Sequence, residues 1–324
     1  MTKVAINGFG RIGRLFYRSA LKHQAPFEVV AVNNPKWDET IYHHLFKYDT
    51  VYGVFEQKPT AKLLTESEPT RLPWKKLGID IVIESSGVFT ERAAAAGHLK
   101  AGAKKVIISA PSKDADVVVV LGVNEEDYNP KKHQVISMAS CTTNCLAPVV
   151  KILQENFGIE KGFMSTVHSY TADQNLQDGS HKDLRRARAA AQNIVPTKTG
   201  AAKAIFQVIS GLENKMDGLA FRVPSPTGSL IDLVCVLSKS TTVEELNQLF
   251  EKYAATKMKG VLGVTKEPLV SADIIANENS SLVDLSLTKV LGGNLVEVIS
   301  WYDNEWAYAT RLVDLVNYLI KKGI

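Results

Sequence analysis

Hydrophobic and polar positions change rhythm once along this chain. Through the first 140 residues, short β-branched runs recur: KVAIN (3–7), FEVVAVN (27–33), GIDIVIESS (78–86), KKVIIS (104–109), DVVVVLG (116–122) and QVISMAS (134–140). Their near-continuous apolar character predicts strands buried on both faces of a parallel sheet. Between the first two runs lies RIGRLFYRSALKHQ, where Ile12, Leu15, Phe16 and Ala20 share one helical face. Strand, helix and strand make a βαβ unit, whose crossover is right-handed.

Beyond residue 140 the texture differs. GFMSTVHSY, GLAFRVPS and SLIDLVCVLS read as strands of a mixed sheet. TTVEELNQLFEKYAA reads as a helix capped by Thr241 or Thr242, with a glutamate three residues after each. Val243, Leu246, Leu249, Phe250 and Tyr253 form its apolar side. TRLVDLVNYLIKK is a last amphipathic helix. The fold class expected is α/β: a Rossmann-type, doubly wound parallel sheet followed by an α+β domain with a mixed sheet. The expected boundaries are 1–140, completed by the helix at 305–324, and 141–304.

At 324 residues the chain can bury a large core without staples. Hydrophobic content of 45% and charged content of 22% are ordinary for a globular protein. Three cysteines, an odd number, argue against a disulfide framework and suit a reducing compartment. No apolar run exceeds VVVVLGV, far short of a membrane span, and the N-terminus enters a strand with no signal-peptide pattern. A cytoplasmic protein is expected. The net charge of +4 suits small acidic substrates without itself implying nucleic acid.

The turn NGFGRIG follows the first strand and opens the first helix. Gly8 permits the tight turn, Gly10 lets the backbone approach a pyrophosphate, and Gly13 lets helix and strand pack closely. Phosphates then meet free N–H groups at the helix start. The alternative is a purely structural turn, but the βαβ setting favours dinucleotide binding. A carboxylate about 20 residues on ordinarily bonds the adenosine ribose. Asn33 and Asn34 stand there instead.

Cys141 and Cys145 lie four apart in ASCTTNCLAP. Cys141 opens a helix, where the dipole lowers a thiol's pKa and favours the thiolate. Cys145, one turn further in, reads as a small buried hydrophobe, as does Cys235 in LVCVLS. A metal site needs further ligands, and no CxxC or HxxxH occurs. Among seven histidines, His168 ends a strand and enters the polar loop HSYTADQ. It is either the base paired with Cys141 or a structural histidine. The other six lie in helix-like or loop segments with no comparable setting. HKDLRRAR reads as a solvated basic helix face, a nucleic-acid patch, or a phosphate site.

VAINGFGRIGR, LFKYDT, ESSGVFT, AGAKKVIISAPS, SCTTNCLAPVVK, TVHSYTADQ, HKDLRRARAAAQNIVPTKTGAAKA, FRVP and WYDNEWAYATRLVDL together resemble the phosphorylating glyceraldehyde-3-phosphate dehydrogenases. The resemblance runs over nearly the whole chain, and SCTTNCLAP is its most specific part. It implies oxidation of glyceraldehyde 3-phosphate, with inorganic phosphate, NAD or NADP, and a homotetramer. Cys141 falls on the nucleophile and His168 on its base. Thr171 and Arg222 match the substrate-phosphate residues. Ser140, Thr142, Thr199, Gly200 and Arg186 match the inorganic-phosphate residues. For the cofactor, Asn7, Arg11 and Ile12 fall in the pyrophosphate turn. Ser85 and Ser109 lie at later strand ends, with Phe89 flanking the adenine. Asn304 matches the residue holding the carboxamide, and Tyr308 the one beside the nicotinamide ring.

Departures from the family are informative. Asn34 stands for a usual Asp, Ser67 for a usual Arg, and Gly179-Ser180 for a Leu-Pro frequent in strictly NAD-dependent members. Photosynthetic, NADP-accepting members carry a small residue and a serine there, so Ser180 is a candidate contact for a 2′-phosphate. The segment between Tyr52 and Trp74 is short, Thr227-Gly228 replaces a common Asn-Val, and Ala307 replaces a frequent glycine. Two rivals are weighed. Erythrose-4-phosphate dehydrogenases share the fold, cysteine and histidine but lack the equivalents of Thr171 and TGAAKA. A non-enzymatic binder of RNA or proteins would not need Cys141, His168 and two anion sites, so nucleic-acid binding is at most secondary.

Overall fold

The computed structural model describes the backbone of residues 1–324 and every side chain except that of Lys203. The chain divides into two compact units: Met1–Ser140 with Tyr308–Ile324, and Cys141–Ala307.

The first unit is built on a seven-stranded sheet. Its spatial order is Lys62–Leu64, Phe27–Asn33, Thr2–Asn7, Ile81–Glu84, Lys105–Ile108, Val135–Ser137 and Val117–Val118, and every neighbouring pair is parallel. Val4, Ala5, Ile6, Val82, Ile83, Val106 and Ile107 are inaccessible to solvent, which explains the unbroken apolar runs. Thr2–Asn7 lies between the strand that follows it in sequence and Ile81–Glu84, so the order reverses there. A crevice for a ligand opens at such a switch point, off the carboxyl ends of the strands. The VVVV run departs from expectation. Only Val117–Val118 pair as a strand; the Val120 N–H turns instead to the Asn124 side chain at 2.8 Å. The helix Trp306–Lys322 carries most of its length in this unit, where Thr310 Oγ1 lies 3.0 Å from Ser19 Oγ and the Tyr318 hydroxyl donates to Glu125 O.

The second unit holds an eight-stranded mixed sheet. Its order is Val195–Lys198, Met216–Val223, Ile159–Ser169, Ser229–Leu237, Leu295–Tyr302, Ser281–Asp284 and Leu262–Thr265, with Lys289–Leu291 also paired to Leu295–Tyr302. Strand register sorts the side chains. Met164, Thr166 and His168 share a face with Ile231, Leu233 and Val298, all buried. The helix Cys141–Phe157 packs on this sheet. The opposite face carries Phe163, Val167, Leu219, Val234 and Leu291, which remain exposed. The helix Val243–Ala255 begins as its sequence suggests, with Thr242 Oγ1 accepting the Glu245 N–H at 3.2 Å.

Candidate active site

In the second unit, Cys141 is the first residue of its helix and His168 lies near the end of its strand. Parallel register sets His168 directly beside Arg222 on the neighbouring strand. These placements bring Cys141 Sγ to 3.5 Å from His168 Nε2 and Arg222 Nη1 to 3.1 Å from His168 Nδ1. Ser169 O lies 2.7 Å from Nδ1 and 3.0 Å from Arg222 Nη1. One carbonyl thus accepts two donors, the imidazole Nδ1–H and the guanidinium. That assignment leaves Nε2 with its lone pair facing the sulfur, the arrangement a base needs.

The electrostatics correct one expectation. Position at a helix start predicts a lowered thiol pKa, yet burial of the sulfur pushes Cys141 up, while Arg222 and the Thr142 N–H and hydroxyl pull the other way. Cys141 as a residue keeps some accessible surface, which tempers the upward push. Burial, then Arg222, lowers His168 to about 3. Burial thus disfavours charge on both partners, while Arg222 and the Thr142 donors favour the thiolate. Cys145 is fully buried against Ser281 and the Ser300 carbonyl, and burial pushes its thiol to about 12. Cys235 is equally enclosed. All three thiols are free, and among the described residues no cluster of His, Cys, Asp and Glu is placed to hold a metal.

Around this pair the positive charges gather. Arg222 Nη1 also reaches Thr171 Oγ1 at 3.3 Å, whereas its buried Nε has no partner. Arg186 bonds Asp173 at 2.6 Å and Thr197 Oγ1 at 3.0 Å. Its charge still reaches His168 and Arg222, lowering both. Two guanidiniums and one orphaned N–H make a setting suited to an anion. Thr199 and Gly200 lie just before the short helix Ala201–Ala204, with Thr199 Oγ1 accepting the Ala201 N–H. The Thr142 hydroxyl is buried against Tyr302 Oη at 2.9 Å. Ser140 ends the first unit. The segment HKDLRRAR forms turns rather than a helix, and two of its arginines are matched locally: Arg186 to Asp173 and Arg188 to Asp178. Ser180 is exposed on the same loop.

Tyr302 escaped the sequence reading. Its hydroxyl bridges Thr142 and Thr166, and its ring stands edge-on to His168 at 6.0 Å. Its local signal, the WYDNEW run, says nothing of that neighbour. Asn304, two residues on, is buried, and its Oδ1 accepts from the hydroxyls of Ser229 at 2.9 Å and Ser169 at 3.2 Å. This turns the amide NH2 away from the hydroxyl cluster.

In the first unit the glycine turn sits at the switch point. Gly8 has φ of 90° and donates to Asn33 O; a Cβ there would fall 2.3 Å from Ser86 N. A Cβ on Gly13 would fall 2.3 Å from Gly8 O, whereas one on Gly10 would meet nothing within 4 Å. The first and third glycines are demanded by the fold, and the second faces open space, as a pyrophosphate cradle requires. Ile12 is half-buried behind the turn, and Arg11 pairs with Asp49 at 2.5 Å. The Ser85 hydroxyl donates to Gly8 O and that of Ser109 to Glu84 O, so both serve the strand ends. The half-buried Phe89 stands edge-on to His98. Tyr308 donates to Ala139 O at 2.8 Å. Asn34 Oδ1 accepts the Lys36 N–H at 3.2 Å, and Ser67 is exposed nearby in sequence to Glu66, whose backbone is held by Asn33. His98, on the short helix Gly97–Lys100, is fully buried against Glu84 and Trp74.

A parallel sheet with its glycine turn at the reversal of strand order is the fold of a dinucleotide-binding domain, and comparison with known proteins identifies an NAD-dependent dehydrogenase. Residues 2–92 match the family model for the glyceraldehyde 3-phosphate dehydrogenase NAD binding domain, and residues 140–304 match that for the C-terminal domain. Glyceraldehyde-3-phosphate dehydrogenase of Priestia megaterium is 52% identical over 99% of both chains. Glyceraldehyde-3-phosphate dehydrogenase 1 of Bacillus subtilis and the Geobacillus stearothermophilus enzyme are each 51% identical over 99% of both chains. The chain belongs to the glyceraldehyde 3-phosphate dehydrogenase family.

Proposed function

We propose that the chain oxidises D-glyceraldehyde 3-phosphate to 1,3-bisphosphoglycerate in central carbohydrate metabolism, with Cys141 as nucleophile and His168 as base. The observation that carries the assignment is His168 Nε2 at 3.5 Å from Cys141 Sγ, with Arg222 alongside. His168 takes the thiol proton as sulfur adds to the aldehyde carbon, giving a hemithioacetal. Bound on the glycine turn, oxidised NAD supplies the hydride acceptor, the one function no side chain here provides. His168 relays the hydroxyl proton, and a thioester on Cys141 remains. Inorganic phosphate attacks that carbonyl, the C–S bond breaks, and the acyl phosphate departs from the Cys141 thiolate, which can regain its proton from His168. Arg222, through its unpartnered Nε, and Thr171 bind the phosphate of the substrate. Arg186, Thr199, Gly200, Thr142 and Ser140 serve the attacking phosphate. On this reading residues 1–140 with 305–324 form the cofactor domain and 141–304 the catalytic domain.

For the cofactor, Asn7, Gly8, Gly10, Arg11, Ile12 and Gly13 cradle the pyrophosphate, with Ser85, Phe89, Ser109 and Tyr308 in the same unit; Asn304 is assigned to the nicotinamide carboxamide by the family resemblance alone. NADP is used alongside NAD. Asn34 offers no negative charge to repel a 2′-phosphate, and with its oxygen engaged by Lys36 N–H its NH2 group is the free donor. Ser180 and the loop at Ser67 add hydroxyls without charge. A homotetramer is proposed from the exposed apolar sheet face of Phe163, Val167, Leu219 and Val234 and from exposed Leu176, Leu184 and Ile194 on the 170–195 loop. Three free thiols suit a cytoplasmic setting, and no helix is long and apolar enough to cross a membrane.

The test is appearance of reduced cofactor from glyceraldehyde 3-phosphate or erythrose 4-phosphate, with and without phosphate, using NAD and NADP in parallel. Phosphate-dependent turnover of glyceraldehyde 3-phosphate that is lost in Cys141→Ala and kept in Cys145→Ala is expected. Turnover persisting in Cys141→Ala overturns the assignment, and no NADP turnover at millimolar cofactor ends the dual-cofactor reading.

A further inference from the structure

Beneath the glycine turn lies a chain of buried polar side chains, of which only Asn7 enters the cofactor reading above. Trp74 Nε1–H donates to His98 Nδ1 at 3.0 Å, and His98 Nε2 lies 2.8 Å from Glu84 Oε2. Asn7 Nδ2 donates to the same oxygen at 2.6 Å, and Asn33 Nδ2 donates to Asn7 Oδ1 at 2.7 Å. Asn33 then clasps the Glu66 backbone through both its N–H and its carbonyl, at 2.9 and 2.8 Å. On its other oxygen Glu84 accepts the Ser86 N–H and hydroxyl. Asn7, Asn33, Glu84, His98 and Trp74 are each at most 3% exposed.

Donor and acceptor chemistry fixes the direction of this chain. An indole N–H can only donate, so His98 Nδ1 accepts and Nε2 carries the hydrogen toward Glu84. Four donors then converge on two carboxylate oxygens, which match the acceptor capacity of that group. Burying a carboxylate is costly even when it is well bonded, and an apolar plug would hold the fold at less expense. The placement explains the group. Asn7, Asn33 and Glu84 are the last residues of three adjacent strands, at the reversal of strand order. Asn7 precedes Gly8, Asn33 precedes Asn34, and Glu84 holds the Ser86 N–H against which Gly8 packs without room for a Cβ.

We propose that Glu84, oriented by His98 and Trp74, is a positioning residue for the dinucleotide. It aligns the glycine turn through Asn7 and Ser86, and the ribose-selecting turn through Asn33. The proposal rests on the reading of the glycine turn as the dinucleotide site. Glu84→Gln is nearly isosteric but replaces one acceptor oxygen with an NH2 donor. That donor must oppose either the Asn7 and His98 N–H groups or those of Ser86, so one arm opens whichever way the amide turns.

The experiment measures binding of NAD and of ADP-ribose, which lacks the nicotinamide, by calorimetry to the full chain, together with steady-state kinetics. In Glu84→Gln both Kd values should rise about 10–100-fold, the scale of a lost buried hydrogen-bond set, with the KM for NAD following. The kcat at saturating NAD and the KM for glyceraldehyde 3-phosphate should stay within about twofold, a split that a merely structural role would not produce. Trp74→Phe removes the donor that orients His98 and should weaken ADP-ribose binding about 3–10-fold. Folded Glu84→Gln that binds ADP-ribose like the wild type overturns the proposal. If that variant does not fold, unchanged binding by Trp74→Phe overturns it. Wild-type protein that binds neither ligand overturns the reading of the turn itself.

Discussion

Replacing His168 with asparagine removes the one base the site offers. The 3.5 Å approach of Nε2 to Cys141 Sγ is the sole contact through which the thiol proton can leave to a basic side chain among those described around it. The other near groups do not substitute. Arg222 is a cation, and burial and the neighbouring thiols hold the Tyr302 hydroxyl well above its ordinary range, so it keeps its proton. Asparagine can still bond the Ser169 carbonyl but accepts no proton. Losing such a group costs on the order of 10²–10⁴-fold in rate, about 3–5 kcal/mol of barrier. Two assays separate the roles. Stopped-flow measurement of the first turnover should show the reduced-cofactor burst slowed by that factor. Alkylation by iodoacetamide between about pH 5 and 10 should shift upward in pH, because burial raises the Cys141 thiol and, with no imidazole to take its proton, only Arg222 and the Thr142 donors still favour the thiolate. A variant whose alkylation curve overlays the wild type refutes the coupling of the two residues, even if turnover is lost.

Three further outcomes follow from the same geometry. Arg222→Leu removes the guanidinium beside His168 and should raise the KM for glyceraldehyde 3-phosphate about 10–100-fold while leaving NAD binding unchanged, as steady-state titration of each substrate would show. Asn34→Asp should restore charge repulsion at the ribose and shift the kcat/KM ratio of NAD to NADP towards NAD by about 1–3 kcal/mol, measured with both cofactors in parallel. His168 has a folded pKa of about 3 against an ordinary 6.5, so the unfolded chain takes up its proton first. Its stabilising contribution is complete above about pH 6.5 and is lost as pH falls towards 3; a Tm profile should therefore be flatter over that window in His168→Asn than in the wild type.

What the chain's pattern discloses, and what it hides, divides by the range of the contacts. The strands of the parallel sheet are legible because burial on both faces leaves no polar alternation, and Thr242 is legible as a cap because its partner is three residues away. Cys141 and His168 are 27 residues apart, and the structure brings them together because one starts a helix and the other nears the end of the strand on which that helix packs. Tyr302 reaches Thr142 from 160 residues away, and no window around WYDNEW reports it. The basic run HKDLRRAR reads by composition as a solvated helix face, a nucleic-acid patch or a phosphate site. In the structure the segment forms turns, with Arg186 paired to Asp173 and Arg188 to Asp178 from the stretch just before it.

His98 is the sharpest case. Read within its own segment, it is one of several histidines on short helical stretches and nothing marks it. Its meaning comes from Glu84, which is brought to the switch point by the parallel pairing of Ile81–Glu84 with Thr2–Asn7, and from Trp74, which is 24 residues upstream. A parallel sheet pairs strands distant in sequence, and it aligns their carboxyl ends at one edge. The polar residues that end those strands are therefore neighbours by topology, although each looks like an isolated strand terminator in the sequence. In this unit Asn7, Asn33 and Glu84 are such terminators. The sheet order that makes them adjacent is the same order that opens the dinucleotide crevice above them, so the buried network and the glycine turn are two consequences of one reversal in strand order.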